Sequence, residues 1–66
     1  MRVHAIRQGK QEAVDLPKGS TVKDLLGKLG VNPETVLTAR GERIILETAP
    51  LQAGDRIELI RVISGG

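Results

Sequence analysis

The sequence predicts an α+β fold in which a mixed sheet of four to five strands clasps a single helix. Three observations predict it. Residues 55–63 form an apolar, β-branched run with the composition of a strand buried in mid-sheet. One amphipathic segment, opening after Thr21, carries its apolar residues on a single stripe. Two pairs of short strand-like segments, each pair bracketing a glycine turn, flank that segment on either side.

Residues 2–7 read as strand one, with Met1, Val3 and Ala5 on one face and Arg2, His4 and Ile6 on the other. Gln8 to Gln11 form a turn in which Gly9 can supply a positive φ. Residues 12–16 read as strand two, with Val14 and Leu16 facing one way. Pro17-Lys18-Gly19-Ser20 then breaks the strand, and Thr21 takes the N-cap position of a helix, with Asp24 as the capping-box carboxylate. Val22, Leu25, Leu26 and Leu29 follow at i, i+3, i+4 and i+7, while Lys23, Asp24, Gly27 and Lys28 take the wet side. Gly30 stops the helix as a C′ glycine.

Asn32-Pro33-Glu34-Thr35 reads as a turn back into the sheet. Residues 36–40 make strand three, Gly41-Glu42 a two-residue hairpin turn with glycine first, and residues 43–46 strand four. Residues 47–52, with Pro50, are irregular, and Ala53-Gly54-Asp55 is the last turn before the closing strand. A helix with one apolar stripe needs a sheet face to cover. The closing strand, being the most apolar, belongs in the centre, parallel to strand one. That arrangement is a β-grasp.

Composition narrows the functions available. A chain of 66 residues holds one small domain. No cysteine is present, which removes disulfides and any persulfide on the chain's own side chains, and one histidine makes a zinc site implausible. Without Phe, Tyr or Trp the core must be aliphatic, and the stacking platform of single-strand nucleic-acid binders is missing. Ten basic and eight acidic residues are well mixed, giving a solvated surface and no phosphate-binding stripe. No apolar run approaches the ~20 residues of a membrane span, and no signal-peptide pattern is visible, so a cytoplasmic protein is expected. No nucleophile–base pair or phosphate loop is present, so a catalyst is not expected.

The functional expectation falls on the end of the chain. Residues 1–63 form the domain and 64–66 a tail, Ser64-Gly65-Gly66, which follows the closing strand with no linker. Gly66 is the candidate for chemical modification at its carboxylate, and Ser64 and Gly65 are candidates for threading into a partner's narrow channel, where a Cβ would clash. The closing strand has Ile57 and Leu59 on one side and Ile60 and Val62 on the other. Either a bulge or the end of the strand returns Val62 or Ile63 to the core, or the second side is an exposed patch for a partner. On the latter reading Ile60, Arg61 and Val62 are docking candidates, with Arg61 placed to pair with acidic groups. His4 reads as a strand surface residue.

Thr21-Val22-Lys23-Asp24-Leu25-Leu26, Asn32-Pro33-Glu34-Thr35-Val36, Arg40-Gly41-Glu42, Leu51 with Gly54-Asp55, and Ile63-Ser64-Gly65-Gly66 together resemble the ubiquitin-like sulfur-carrier family of ThiS and MoaD, with the related archaeal and bacterial small modifiers. The resemblance covers essentially the whole chain, and its Asn-Pro-Glu-Thr turn is most similar to the TtuB type. It implies a cosubstrate rather than an enzyme. An activating enzyme of the ubiquitin-activating kind would join Gly66 to AMP, using ATP and Mg²⁺. A sulfur donor protein would then convert the adenylate to a thiocarboxylate. The sulfur would pass to a downstream acceptor, with tRNA 2-thiolation favoured and thiamine or molybdopterin synthesis as alternatives, or a target-protein lysine would capture the acyl group. No cofactor or metal bound to the chain is implied. A second class of function is an RNA-binding β-grasp module resembling TGS domains, against which the mixed charge, missing aromatics and terminal diglycine argue.

Overall fold

The computed structural model describes residues 1–62. Ile63 and the Ser64-Gly65-Gly66 tail, with the domain boundary expected there, lie outside the described residues. The elements are β1 (Arg2–Arg7), β2 (Lys10–Asp15), α1 (Val22–Leu29), a 3₁₀ turn (Pro33–Thr35), β3 (Val36–Arg40), β4 (Arg43–Ile45) and β5 (Arg56–Arg61). They form one five-stranded sheet in the order β2-β1-β5-β3-β4. The closing strand is central, parallel to β1 and antiparallel to β3. The fold is a ubiquitin-like β-grasp.

Several boundaries differ from the sequence expectation. Gln8 and Gly9 both take positive φ, 51° and 76°, the signature of a type I′ turn, which needs only two residues. Strand β2 therefore starts at Lys10, not at residue 12. Leu16 lies past its end yet remains paired, since its N–H donates to the Met1 carbonyl at 2.8 Å and the Met1 amine donates to the Leu16 carbonyl at 2.7 Å. Asn32-Pro33-Glu34-Thr35 is a capped 3₁₀ turn rather than a simple reversal, with Asn32 Oδ1 accepting from the Glu34 N–H at 2.9 Å. Strand β4 stops at Ile45 because the chain leaves the sheet to run beside the helix, and Leu46 is left largely exposed.

Helix α1 is held at both ends as its sequence requires. The Thr21 N–H donates to Asp24 Oδ2 at 2.8 Å and the Asp24 N–H to Thr21 Oγ1 at 3.5 Å, completing the capping box. Two further N-terminal donors are met by the 47–51 segment: Val22 N–H bonds the Ala49 carbonyl at 3.0 Å and Lys23 N–H the Glu47 carbonyl at 2.9 Å. At the other end Gly30 has φ 72°, and the bonds Gly30 N–H to Gly27 O and Val31 N–H to Leu26 O form a Schellman motif. Val22, Leu25 and Leu26 are buried against Val3, Ala5, Val14, Leu16, Leu51, Ile57 and Leu59. The core is aliphatic throughout.

The entrance to β5 is fixed by one side-chain junction. Arg40 Nη2 donates to Asp55 Oδ2 and to the Pro50 carbonyl, each at 2.9 Å, and the same Asp55 oxygen accepts the Gln52 N–H at 2.8 Å. Backbone bonds from His4 N–H to Asp55 O and from Gly54 N–H to Arg2 O, both 2.8 Å, place the turn against β1. Strand β5 therefore leaves in a set direction.

Candidate functional site

The direction of β5 positions the last of the described residues, Arg61 and Val62. Its pairing with β3 runs without interruption from Arg40↔Ile57 to Val36↔Arg61, so no bulge occurs up to Arg61. Beyond the strand, the Val62 N–H donates to the Thr35 carbonyl at 2.9 Å. Thr35 is itself held by the 3₁₀ turn, its hydroxyl donating to the Asn32 carbonyl at 2.7 Å. The Asn-Pro-Glu-Thr segment thus anchors the chain four residues before Gly66.

The three docking candidates do not share one surface. Ile57 and Leu59 are buried under the helix, so alternation sends Glu58 and Ile60 to the open face and Arg61 to the helix side. Ile60 is 38% exposed there and stands opposite Leu37, which is 45% exposed. Ala39 and Ile44 pair next to them on the same face, with Ile44 also exposed. Leu37 and Ile44 therefore enlarge the apolar surface around Ile60, and sequence reasoning missed both. The signal lay in the Gly41-Glu42 hairpin, which sets Ala39 against Ile44, but the neighbour across β3 had to be known before the patch could be assembled. Val62 is half-buried. Arg61 is exposed at the mouth of a separate cleft on the helix side.

His4, a docking or metal candidate in neither reading, is tied into a surface network. Gln11 Nε2 lies 3.2 Å from His4 Nδ1, and Gln11 Oε1 accepts from Arg56 Nη2 at 3.0 Å, a surface network across β2, β1 and β5. Among the described residues no group of three or more His, Cys, Asp or Glu side chains could hold a metal ion. No helix among them is long and apolar enough to cross a membrane.

A central closing strand, one helix clasped by a mixed sheet and an apolar open face define a protein of the ubiquitin-like β-grasp class. The model of the ThiS family matches residues 3–66, and the chain belongs to that family. It is 33% identical over 66 residues to the sulfur carrier protein TtuB of Thermus thermophilus, covering the whole of both chains. Among solved structures, SAMP1 from Haloferax volcanii superposes with a TM-score of 0.77 at 19% identity, covering all of both chains. The thiamine biosynthesis protein ThiS from Geobacter metallireducens gives 0.66 at 24% identity, covering 96% of this chain and 99% of that one. At those identities the two structures speak for the fold alone.

Proposed function

We propose that this chain is a sulfur carrier whose Gly66 carboxylate is the group that is activated, loaded and discharged. The observation that carries the reading is the full-length 33% identity to a sulfur carrier. It is supported by the rigid placement of β5, which brings the chain to Val62 beside the Thr35 carbonyl.

A carboxylate is a poor acyl donor because oxide is a poor leaving group. An adenylating partner uses ATP and Mg²⁺ to join the Gly66 carboxylate to AMP, releasing pyrophosphate. A persulfide sulfur from a donor protein attacks the acyl carbon and expels AMP. Reductive cleavage of the resulting sulfur–sulfur bond by a thiol leaves the thiocarboxylate. The carrier supplies no base in these steps; it supplies a terminus that can be threaded and a surface that docks. Gly65 and Ser64 suit the threading because they are small. Ile60, with Leu37 and Ile44 beside it, suits the docking, because a contiguous exposed apolar patch marks an interaction surface. The TtuB-type turn favours a tRNA 2-thiolation enzyme as acceptor, with capture by lysines of target proteins as a second outlet for the activated acyl group.

The test is intact-mass spectrometry of the chain after incubation with its adenylating enzyme and ATP, with and without the sulfur donor. The expected products are the acyl-adenylate and then a chain in which one oxygen is replaced by sulfur, both localised to Gly66. An unchanged mass with an enzyme active on its own authentic carrier refutes the reading.

A further inference from the structure

The row of side chains that faces the helix changes character where the helix ends. Val3 and Ala5 on β1, and Ile57 and Leu59 on β5, are buried. Ala5 pairs with Ile57 in the parallel ladder, so the next residues on the same face are Arg7 and Arg61, and both are exposed. Together with Thr35 they wall a cleft of about 290 Å³ whose floor includes Val31, Val36 and Leu59. Two guanidinium groups thus continue rows that are aliphatic where the helix covers them. Arg7 is only loosely occupied, its Nη2 standing 4.0 Å from Glu12 Oε1 with both side chains about half exposed. Among the described residues, no carboxylate lies within ion-pair distance of Arg61. The carbonyl end of α1, just before Val31, carries partial negative charge that favours the two guanidinium groups and opposes an anion, so the attraction for a carboxylate comes from the arginines alone.

We propose that this cleft is an acidic-side-chain receptor: it takes one or more carboxylates from the adenylating partner and orients the root of the tail for entry into that partner's active site. The inference rests on the carrier reading above and adds Arg7, and a second surface distinct from the Ile60 patch, to it. The occupant is a protein carboxylate rather than the phosphate of the adenylate. A tail drawn out for threading can span up to ~13 Å over the four residues from Val62 to Gly66, further than an arginine side chain reaches. The apolar floor fits the methylenes of Glu or Asp and their neighbours, and a half-exposed cationic rim gives an attraction that salt screens.

The experiment measures pyrophosphate release by the adenylating enzyme as the carrier concentration is varied, at low and at high salt. For Arg7→Glu/Arg61→Glu, KM is expected to rise about tenfold at low salt with kcat unchanged, and the gap to wild type to narrow at high salt. Arg7→Gln/Arg61→Gln, which adds no repulsion, is expected to show a smaller rise of the same kind. Lys18→Glu/Lys23→Glu carries the same change in net charge on other elements and is expected to keep the wild-type KM. Far-UV circular dichroism verifies that each variant is folded. A Gln/Gln variant that is folded and keeps the wild-type KM overturns the proposal, as does a KM rise of equal size at every salt concentration. A wild-type chain that is not adenylated at all overturns the carrier reading itself, whereas normal adenylation of the variants removes only the cleft.

Discussion

Gly27 shows most directly how one residue's cost can be separated from its use. It sits on the exposed side of α1, its φ is not positive, and a Cβ built there meets nothing within 4 Å. Replacing it by alanine removes backbone freedom from the unfolded chain without touching the core. Gly27→Ala is expected to stabilise the protein by about 1 kcal/mol. For a domain of this size that corresponds to a rise of about 4–8 °C in the thermal midpoint, read by far-UV circular dichroism. Gly30 is the opposite case. Its φ of 72° is what allows the Schellman bonds, so Gly30→Ala is expected to cost about 1 kcal/mol by the same measurement. Two glycines three residues apart, one inside the helix and one just past its end, should therefore shift stability in opposite directions.

At the scale of elements, the sequence declared its helix and its central strand more clearly than its edges. Thr21, Asp24 and Gly30 carry local chemistry that works whatever the rest of the chain does, so both helix ends could be read directly. The closing strand's place in the centre, parallel to β1, followed from its composition and is what the ladder shows. The edge of the sheet was harder because tertiary bonds decide it. Strand β4 ends at Ile45 since the following segment is drawn to the helix N-terminus, where the Glu47 and Ala49 carbonyls meet otherwise unpaired donors. Nothing in residues 43–46 themselves announces that competition. The short turn at Gln8-Gly9 was obscured for another reason: a non-glycine residue at φ 51° is uncommon, and glutamine gives no hint of it. The proposed docking surface was the least legible. Ile60 could be named from alternation, but its partnership with Leu37 needed the β3–β5 register, and the exposure of Arg61, which alternation sets on the other face, needed to know where the helix stops covering the sheet.

For the whole molecule, the two faces of one sheet divide the work. The covered face supplies stability, with Leu25, Leu26, Ile57, Val3 and Val22 all but inaccessible. The open face can be changed with little effect on folding, because Leu37 and Ile60 already contact solvent. Leu37→Glu/Ile60→Glu is accordingly expected to keep a thermal midpoint close to wild type while raising KM for the adenylating enzyme about tenfold, as loss of an apolar anchor does. Unlike the arginine cleft, this loss should persist at high salt, since it removes apolar contact rather than unscreened charge alone. Measured side by side, the two variants distinguish hydrophobic capture of the sheet from electrostatic guidance of the tail.

The all-aliphatic interior has a practical corollary. A chain lacking Phe, Tyr and Trp is nearly transparent in the near ultraviolet. An adenine ring covalently joined to it would stand out optically against that dark background, and would disappear again when sulfur takes its place. The protein is thus its own blank: formation of the proposed adenylate and its loss to sulfur would be followed on the unlabelled carrier, after separation from the enzyme, by absorbance alone.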